Sequence, residues 1–148
     1  MITAEIKNNI RLPKLTLEED LKYIAKEIIV KIMRRNIDKG INLNEEQYPP
    51  LAESTIRRKT AQGLSKKVLI ATGELRLSFL IDVISSSKIK INLNSSRADI
   101  GDILQNKGVK TKRGTRYFNF FGVSQRMEVL AWKYMVKQIK EKIHKKNG

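Results

Sequence analysis

Leu17, Leu21, Ile24, Ile28 and Ile32 recur at steps of three or four residues, which puts them on one stripe of an α-helix. A stripe of that length has to be covered, so whatever follows in the chain must pack on it. The segment also carries its own boundary signals. Thr16 stands three residues before Glu19, the spacing of a capping box. Glu18, Glu19 and Asp20 put negative charge in the first turn, where the helix dipole favours it. Lys31, Arg34, Arg35 and Lys39 crowd the other end, and Gly40 is a fitting stop. The pattern predicts a helix from Thr16 to about Lys39.

A different periodicity appears further on. Ile89, Ile91 and Leu93 alternate strictly with Lys88, Lys90 and Asn92, the signature of a strand with one wet face. Leu77, Phe79, Ile81 and Val83 alternate ahead of it, and Ser85-Ser86-Ser87 reads as the turn between. The remaining segments are shorter. Residues 1–15 read as an extended arm, broken by Asn8-Asn9 and Pro13. Residues 41–50 are a loop ending in Pro49-Pro50, followed by a short helix near Ala52 to Gln62 that Gly63 closes. A further turn of helix is expected after Thr72-Gly73. Asp99 to Gln105 fits either strand or short helix. Lys107 to Arg116 reads as a polar loop and Tyr117 to Phe121 as an aromatic strand. Ser124 caps a last helix reaching about Lys145, with Val129, Trp132, Val136, Ile139 and Ile143 as its apolar stripe and Trp132 and Tyr134 expected against the sheet.

Helix, small helices, strands, helix is the order of an α+β fold, not of alternating βαβ units. The expectation is an antiparallel sheet packed against long N-terminal and C-terminal helices, with short helices between. An arm at 1–15 would precede a single domain at 16–148. A chain of 148 residues is long enough to bury roughly 70% of the surface it exposes when unfolded.

Composition removes whole classes of chemistry. With no cysteine, disulfides, thiolate catalysis and Cys-ligated zinc are excluded. Met1 to Lys14 shows no apolar secretion core, and no apolar run approaches the roughly 18 residues that span a bilayer. His144 is the only histidine, which leaves no histidine-based triad or two-His metal site. No phosphate-cradling glycine loop occurs. The acids Glu74, Asp82, Asp99 and Asp102 are the remaining candidates for a magnesium-dependent nuclease, and they lack the further neighbouring acids such sites need. The expectation is therefore no enzyme, no cofactor and no metal.

Charge points elsewhere. The formal net charge is +15. Residues 1–53 carry nine basic and nine acidic side chains, whereas residues 106–148 carry twelve basic and two acidic. Such asymmetry implies an acidic partner or a solvated lysine face. Lys107, Lys110, Lys112, Arg113 and Arg116 surround Gly108 and Gly114, with Tyr117, Phe118, Phe120 and Phe121 directly after. Cations neutralise phosphates and exposed rings stack on bases, so this loop is the candidate nucleic-acid or partner contact.

Four short blocks, in order, carry a resemblance. They are Tyr48-Pro49-Pro50-Leu51 with Thr55 and Lys59; Leu69-Ile70-Ala71-Thr72-Gly73-Glu74-Leu75; Ile103-Leu104-Gln105 with Gly108; and Phe120-Phe121-Gly122-Val123-Ser124. Together they resemble the virion morphogenesis (tail completion) family of Mu-like phages, across roughly residues 17–145. Leu104 stands where the family usually has His. The resemblance implies a structural tail or neck protein, of phage or prophage origin, that acts as a ring of identical subunits on tail or head-tail connector proteins. It would be assembled in the host cytoplasm and end in the virion, with no membrane step. The arm and the 107–116 loop are expected to be mobile until docking orders them, so that the chain alone is a monomer or weak oligomer. The alternative reading is a basic nucleic-acid-binding protein. On either reading most block residues shape the fold: Pro50 restricts the chain entering the short helix, and Gly122 to Ser124 turns the aromatic segment into the last helix.

Overall fold

The computed structural model describes residues 3–7, 17–70, 73–112 and 114–147. The fold is α+β, with two long helices and an antiparallel sheet whose first strand precedes the first helix and whose other two strands lie between the helices in sequence. The first helix runs over 17–39 and changes its winding partway. Leu17–Tyr23 is α-helical, Ile24–Val30 is wound as a π-helix, and Lys31–Lys39 is α-helical again. The wider turn fits more residues into each revolution and so shifts which side chains face inward. Ile24, Ala25, Ile28, Ile29, Val30, Ile32, Met33, Asn36 and Ile37 are all buried, a far broader face than the single stripe read from the sequence. Gly40 ends the helix in the left-handed conformation (φ +68°), and its N–H returns to the carbonyls of Asn36 and Ile37. Thr16, the expected cap, lies outside the described residues.

Three strands form the main sheet: β1 (Thr3–Lys7), β2 (Phe79–Ser85) and β3 (Lys88–Leu93), in the order β1-β3-β2, all antiparallel. The apolar side of β3 is realised, with Ile89, Ile91 and Leu93 buried, but the other side is not a wet face: Lys88 and Lys90 are half-buried and Asn92 is buried, donating to Asp82 at 2.7 Å. Across the β2–β3 hairpin Ile89, Ile91 and Leu93 face Val83, Ile81 and Phe79 respectively. Leu77, read as part of the strand, precedes it and is exposed. Residues 3–7, within the segment read as an arm, pair with β3 from Thr3 opposite Asn92 to Lys7 opposite Lys88. Residues 8–15 lie outside the described residues.

Between the hairpin and the last helix the ambiguous segment resolves as helix. Ser95–Asp102 is α-helical and continues into a π-wound turn at Ile103–Lys107. The stretch expected as an open loop is a second hairpin, β4 (Val109–Thr111) against β5 (Gly114–Arg116). The expected aromatic strand is not a strand. Its polar backbone is bonded to a loop and to a helical turn and not to a sheet: the Leu43 N–H donates to the Asn119 carbonyl (2.9 Å) and the Phe118 N–H to the Leu104 carbonyl (2.8 Å). Phe118, Phe120 and Phe121 nonetheless point into the core, and Tyr117 points out.

The last helix, Gln125–Asn147, starts as expected: the Ser124 hydroxyl accepts the Met127 N–H at 3.3 Å. Its orientation differs from the expectation. Met127 and Met135 are buried, and Leu130, Ala131 and Tyr134 pack on the core. Tyr134 stacks on Tyr23 of the first helix (centroids 4.3 Å apart, planes at 12°) and donates its hydroxyl to Asp20 at 3.1 Å. Trp132 does not reach the sheet; it is 53% exposed, with Val129 at 47% and Ile143 at 52%. This helix has two apolar stripes, and periodicity alone does not say which of them turns inward. The methionine-tyrosine stripe wins because it also provides the aromatic stack and the hydrogen bond to a buried carboxylate.

Two measurements check this arrangement. Met127→Ala lowers stability by about 2–5 kcal/mol through transfer and cavity terms, whereas Trp132→Ala, at an exposed position, changes it by less than about 1 kcal/mol; thermal melts of both variants compare them directly. Burial and the bond to Asp20 push the Tyr134 phenol up to about 12. A phenol held protonated by the fold stabilises fully below its unfolded value of about 10, and that stability drains away as pH rises towards 12. Absorbance titration of Tyr134→Phe loses a tyrosine ionising near 12.

Candidate functional site

Three of the four sequence blocks meet around one groove, and the fourth, Phe120 to Ser124, does not line it. Leu51, Lys59, Leu69, Leu75, Leu104 and Phe118 line an apolar depression of about 320 Å³. The elements are held there by specific clasps. The ammonium of Lys59, on the short helix Glu53–Ala61, donates to the carbonyls of Lys67 (2.8 Å) and Ile70 (2.9 Å). It thereby ties down a loop in which Leu69 adopts a left-handed φ of +61°. Partial burial lowers the Lys59 pKa from the ordinary lysine range, with Arg58 adding to the effect. Leu75 is buried below Gly73, and Glu74 at the groove's rim is paired with Arg97.

Gln105 is the tightest clasp. Its side-chain N–H donates to the Phe121 carbonyl (2.7 Å) and its side-chain carbonyl accepts the Phe121 N–H (2.8 Å). One amide thus satisfies both backbone groups of a residue that has no sheet partner. Just beyond it, Gly108 has φ +80°, and a Cβ there would lie 2.2 Å from Thr115 and 2.9 Å from the Tyr117 ring. The hairpin can fold back on the helix only with glycine at that point. Gly122 sits against Leu43, and Phe120 is fully buried.

The basic residues do not act as one patch. Lys110 and Lys112 are exposed on the hairpin. Lys107 lies 3.3 Å from Asp102. Hydrogen bonding by Asn106, then by Lys107, lowers the Asp102 pKa below the usual carboxylate range. Arg116 is turned inward: it donates to the Pro49 carbonyl and lies 4.7 Å over the Phe118 ring. Phe118 in turn packs on Tyr48 with centroids 5.2 Å apart. Burial pushes the Tyr48 phenol above its ordinary range, with Arg116 opposing, and burial lowers the Arg116 pKa. Arg116 therefore joins the 41–51 loop to the hairpin. Pro50 is exposed and Thr55 half-buried at the start of the short helix. Thr72 and Arg113 lie outside the described residues.

The candidate acids are apart. Glu74 pairs with Arg97, Asp82 accepts from Asn92 at 2.7 Å, Asp102 is held by Asn106 and Lys107, and Asp99 is exposed. Among the described residues no three His, Asp or Glu side chains come together as a metal site, and no helix is long and apolar enough to cross a membrane. What the groove residues do chemically is hold loops together. One joint had no sequence signal: Glu45, itself at φ +65°, pairs with both Arg35 (3.0 Å) and Arg126, linking the two long helices through a loop.

The chain matches no known family model, and comparisons with characterised proteins and with solved structures found no significant match.

Gln105→Ala leaves both backbone groups of Phe121 without their partners and destabilises by about 1–3 kcal/mol, measured by denaturant unfolding. Lys110→Ala, which touches no clasp, leaves the midpoint unchanged.

Proposed function

We propose that this chain is a structural protein of phage virion morphogenesis. It is a tail or neck component that works by docking, as one subunit of a ring of identical copies on tail or head-tail connector proteins. The observation that carries the reading is the outer edge of β2. Among the described residues β2 pairs only with β3. Leu80, Val83 and Ile84 in that strand, and Leu77 just before it, are exposed, and Asp82 is the strand's single charge. Proteins that stay monomeric blunt such edges with lysine, proline, a bulge or a covering element. Here a bulge occurs only at the far end, between Val83 and Ser85. An uncovered apolar edge on one side of a subunit serves a head-to-tail contact, which closes into a ring when the rotation permits. The described residues of the four blocks support the same reading, since the bonds of Lys59, Gln105 and Ser124 set the shape of loops and turns.

The reading is checked by replacing the chain with its Leu80→Lys/Ile84→Lys variant during phage production. The parent chain is expected in purified virions as a ring. The variant, altered only at exposed positions, keeps its melting temperature, while tails lack the subunit and infectivity falls. Virions without the parent chain would sink the tail assignment, and normal incorporation of the variant would sink the role of β2.

The exposed Lys110 and Lys112 favour a second reading, nucleic-acid binding. It requires DNA affinity that falls steeply with salt and that Lys110→Glu/Lys112→Glu/Arg113→Glu abolishes. A parent chain that does not bind DNA, or a triple variant that binds DNA normally but fails in virion assembly, rules it out.

A further inference from the structure

We infer that the outer face of the C-terminal helix is a docking site for an acidic amphipathic helix of a partner protein. This goes beyond the tail reading and does not rest on it. Val129, Trp132, Val136, Ile139 and Ile143 are separated by steps of three, four, three and four residues. That is the spacing of the seam along which two helices interlock side chains in a coiled coil. In an isolated subunit the seam is uncovered: Val129, Trp132 and Ile143 are each about half exposed, and Val136 and Ile139 are only partly buried.

The chemistry beside the seam selects the partner. Lys133, Lys137, Lys140 and His144 each follow a seam residue by one position, so a basic row runs alongside the apolar one. All four are exposed, and among the described residues no carboxylate pairs with the three lysines. Lys133 and Lys140 hold the flanking positions that, in coiled coils, meet acidic residues of the facing helix. The other flank is taken by the chain itself: Met135 is buried in the core and Lys142 is 3.3 Å from Asp20. A partner helix therefore meets the seam from the lysine side, where Trp132, Val136 and Lys140 border a shallow depression of about 600 Å³.

Other occupants fit less well. Phosphates have nothing to gain from a row of Val and Ile. A bilayer suits an apolar centre with cations on both sides that reach up to headgroups, whereas here a flat surface would press Lys133 and Lys140 down with the apolar row. A second copy lying antiparallel sets Lys133 against Lys140, like charge on like, between chains of net charge +15.

Trp132 is the only tryptophan, so its emission reports on the seam in the full chain. The probes are two synthetic helical peptides of about four heptads, with leucine on the seam and either glutamate or lysine on both flanks. The acidic peptide is expected to bind saturably and shift the emission to the blue, and the lysine peptide to do neither. Lys133→Glu/Lys140→Glu weakens the acidic peptide about tenfold or more and admits the lysine peptide. Val136→Asp abolishes binding; should that chain melt early, the lysine pair still decides. A shift produced by phosphatidylglycerol vesicles but not by the acidic peptide would overturn the proposal. So would emission that depends on the protein's own concentration, or no response to the acidic peptide.

Discussion

Burial of the wide inner face of the first helix is the constraint on which the other elements depend. Ile29, Met33 and Ile37 are sealed from solvent, and the sheet and the last helix both pack against this helix. A single apolar stripe would meet one neighbour. The broader face, made by the π-wound turn, serves two layers at once, the hairpin on one side and Met127, Tyr134 and Met135 on the other. The aromatic segment fills the same core without belonging to any sheet, which is why its backbone needs Gln105, Leu104 and the 41–48 loop as hydrogen-bond partners.

Much of this architecture was legible in the residue pattern. Gly40 at a helix end and Ser124 at a helix start are local signals, and each was realised locally; the helical spacing of the first segment was realised as a helix whose regular period gives way to a π-wound turn, and β3 kept its buried apolar side while burying Asn92 as well. The failures share a cause. Val129, Trp132, Val136, Ile139 and Ile143 look like a core stripe because they are apolar and regularly spaced, but inward and outward stripes have the same spacing. Only the partners of Tyr134, far away at Tyr23 and Asp20, decide between them. Tyr117 to Phe121 has strand composition but no strand to pair with, a fact of topology that composition does not hold.

The candidate site was legible as positions and not as roles. Lys59, Gln105, Gly108 and Arg116 were marked by the blocks or by charge. What each does comes from long-range neighbours: two carbonyls of a loop for Lys59, one residue's whole backbone for Gln105, a ring and a carbonyl for Arg116. Arg116 is the clearest case: read as a contact to phosphate, it also bridges a loop carbonyl and a ring within the fold. The lysines left outward, on the hairpin and on the last helix, are those whose neighbours in space are solvent.

The π-wound turn at Ile24–Val30 carries one more consequence. Asp20 and Tyr23 lie before it, and Met33 and Ile37 after it; each set meets its partners only because the intervening turn is wide. Inserting a residue beyond what the wide turn already absorbs would swing the two halves by about 100° relative to each other, tearing the Tyr23–Tyr134 stack from the core while altering hydropathy hardly at all. In its first helix this protein tolerates changes of letter more readily than changes of length.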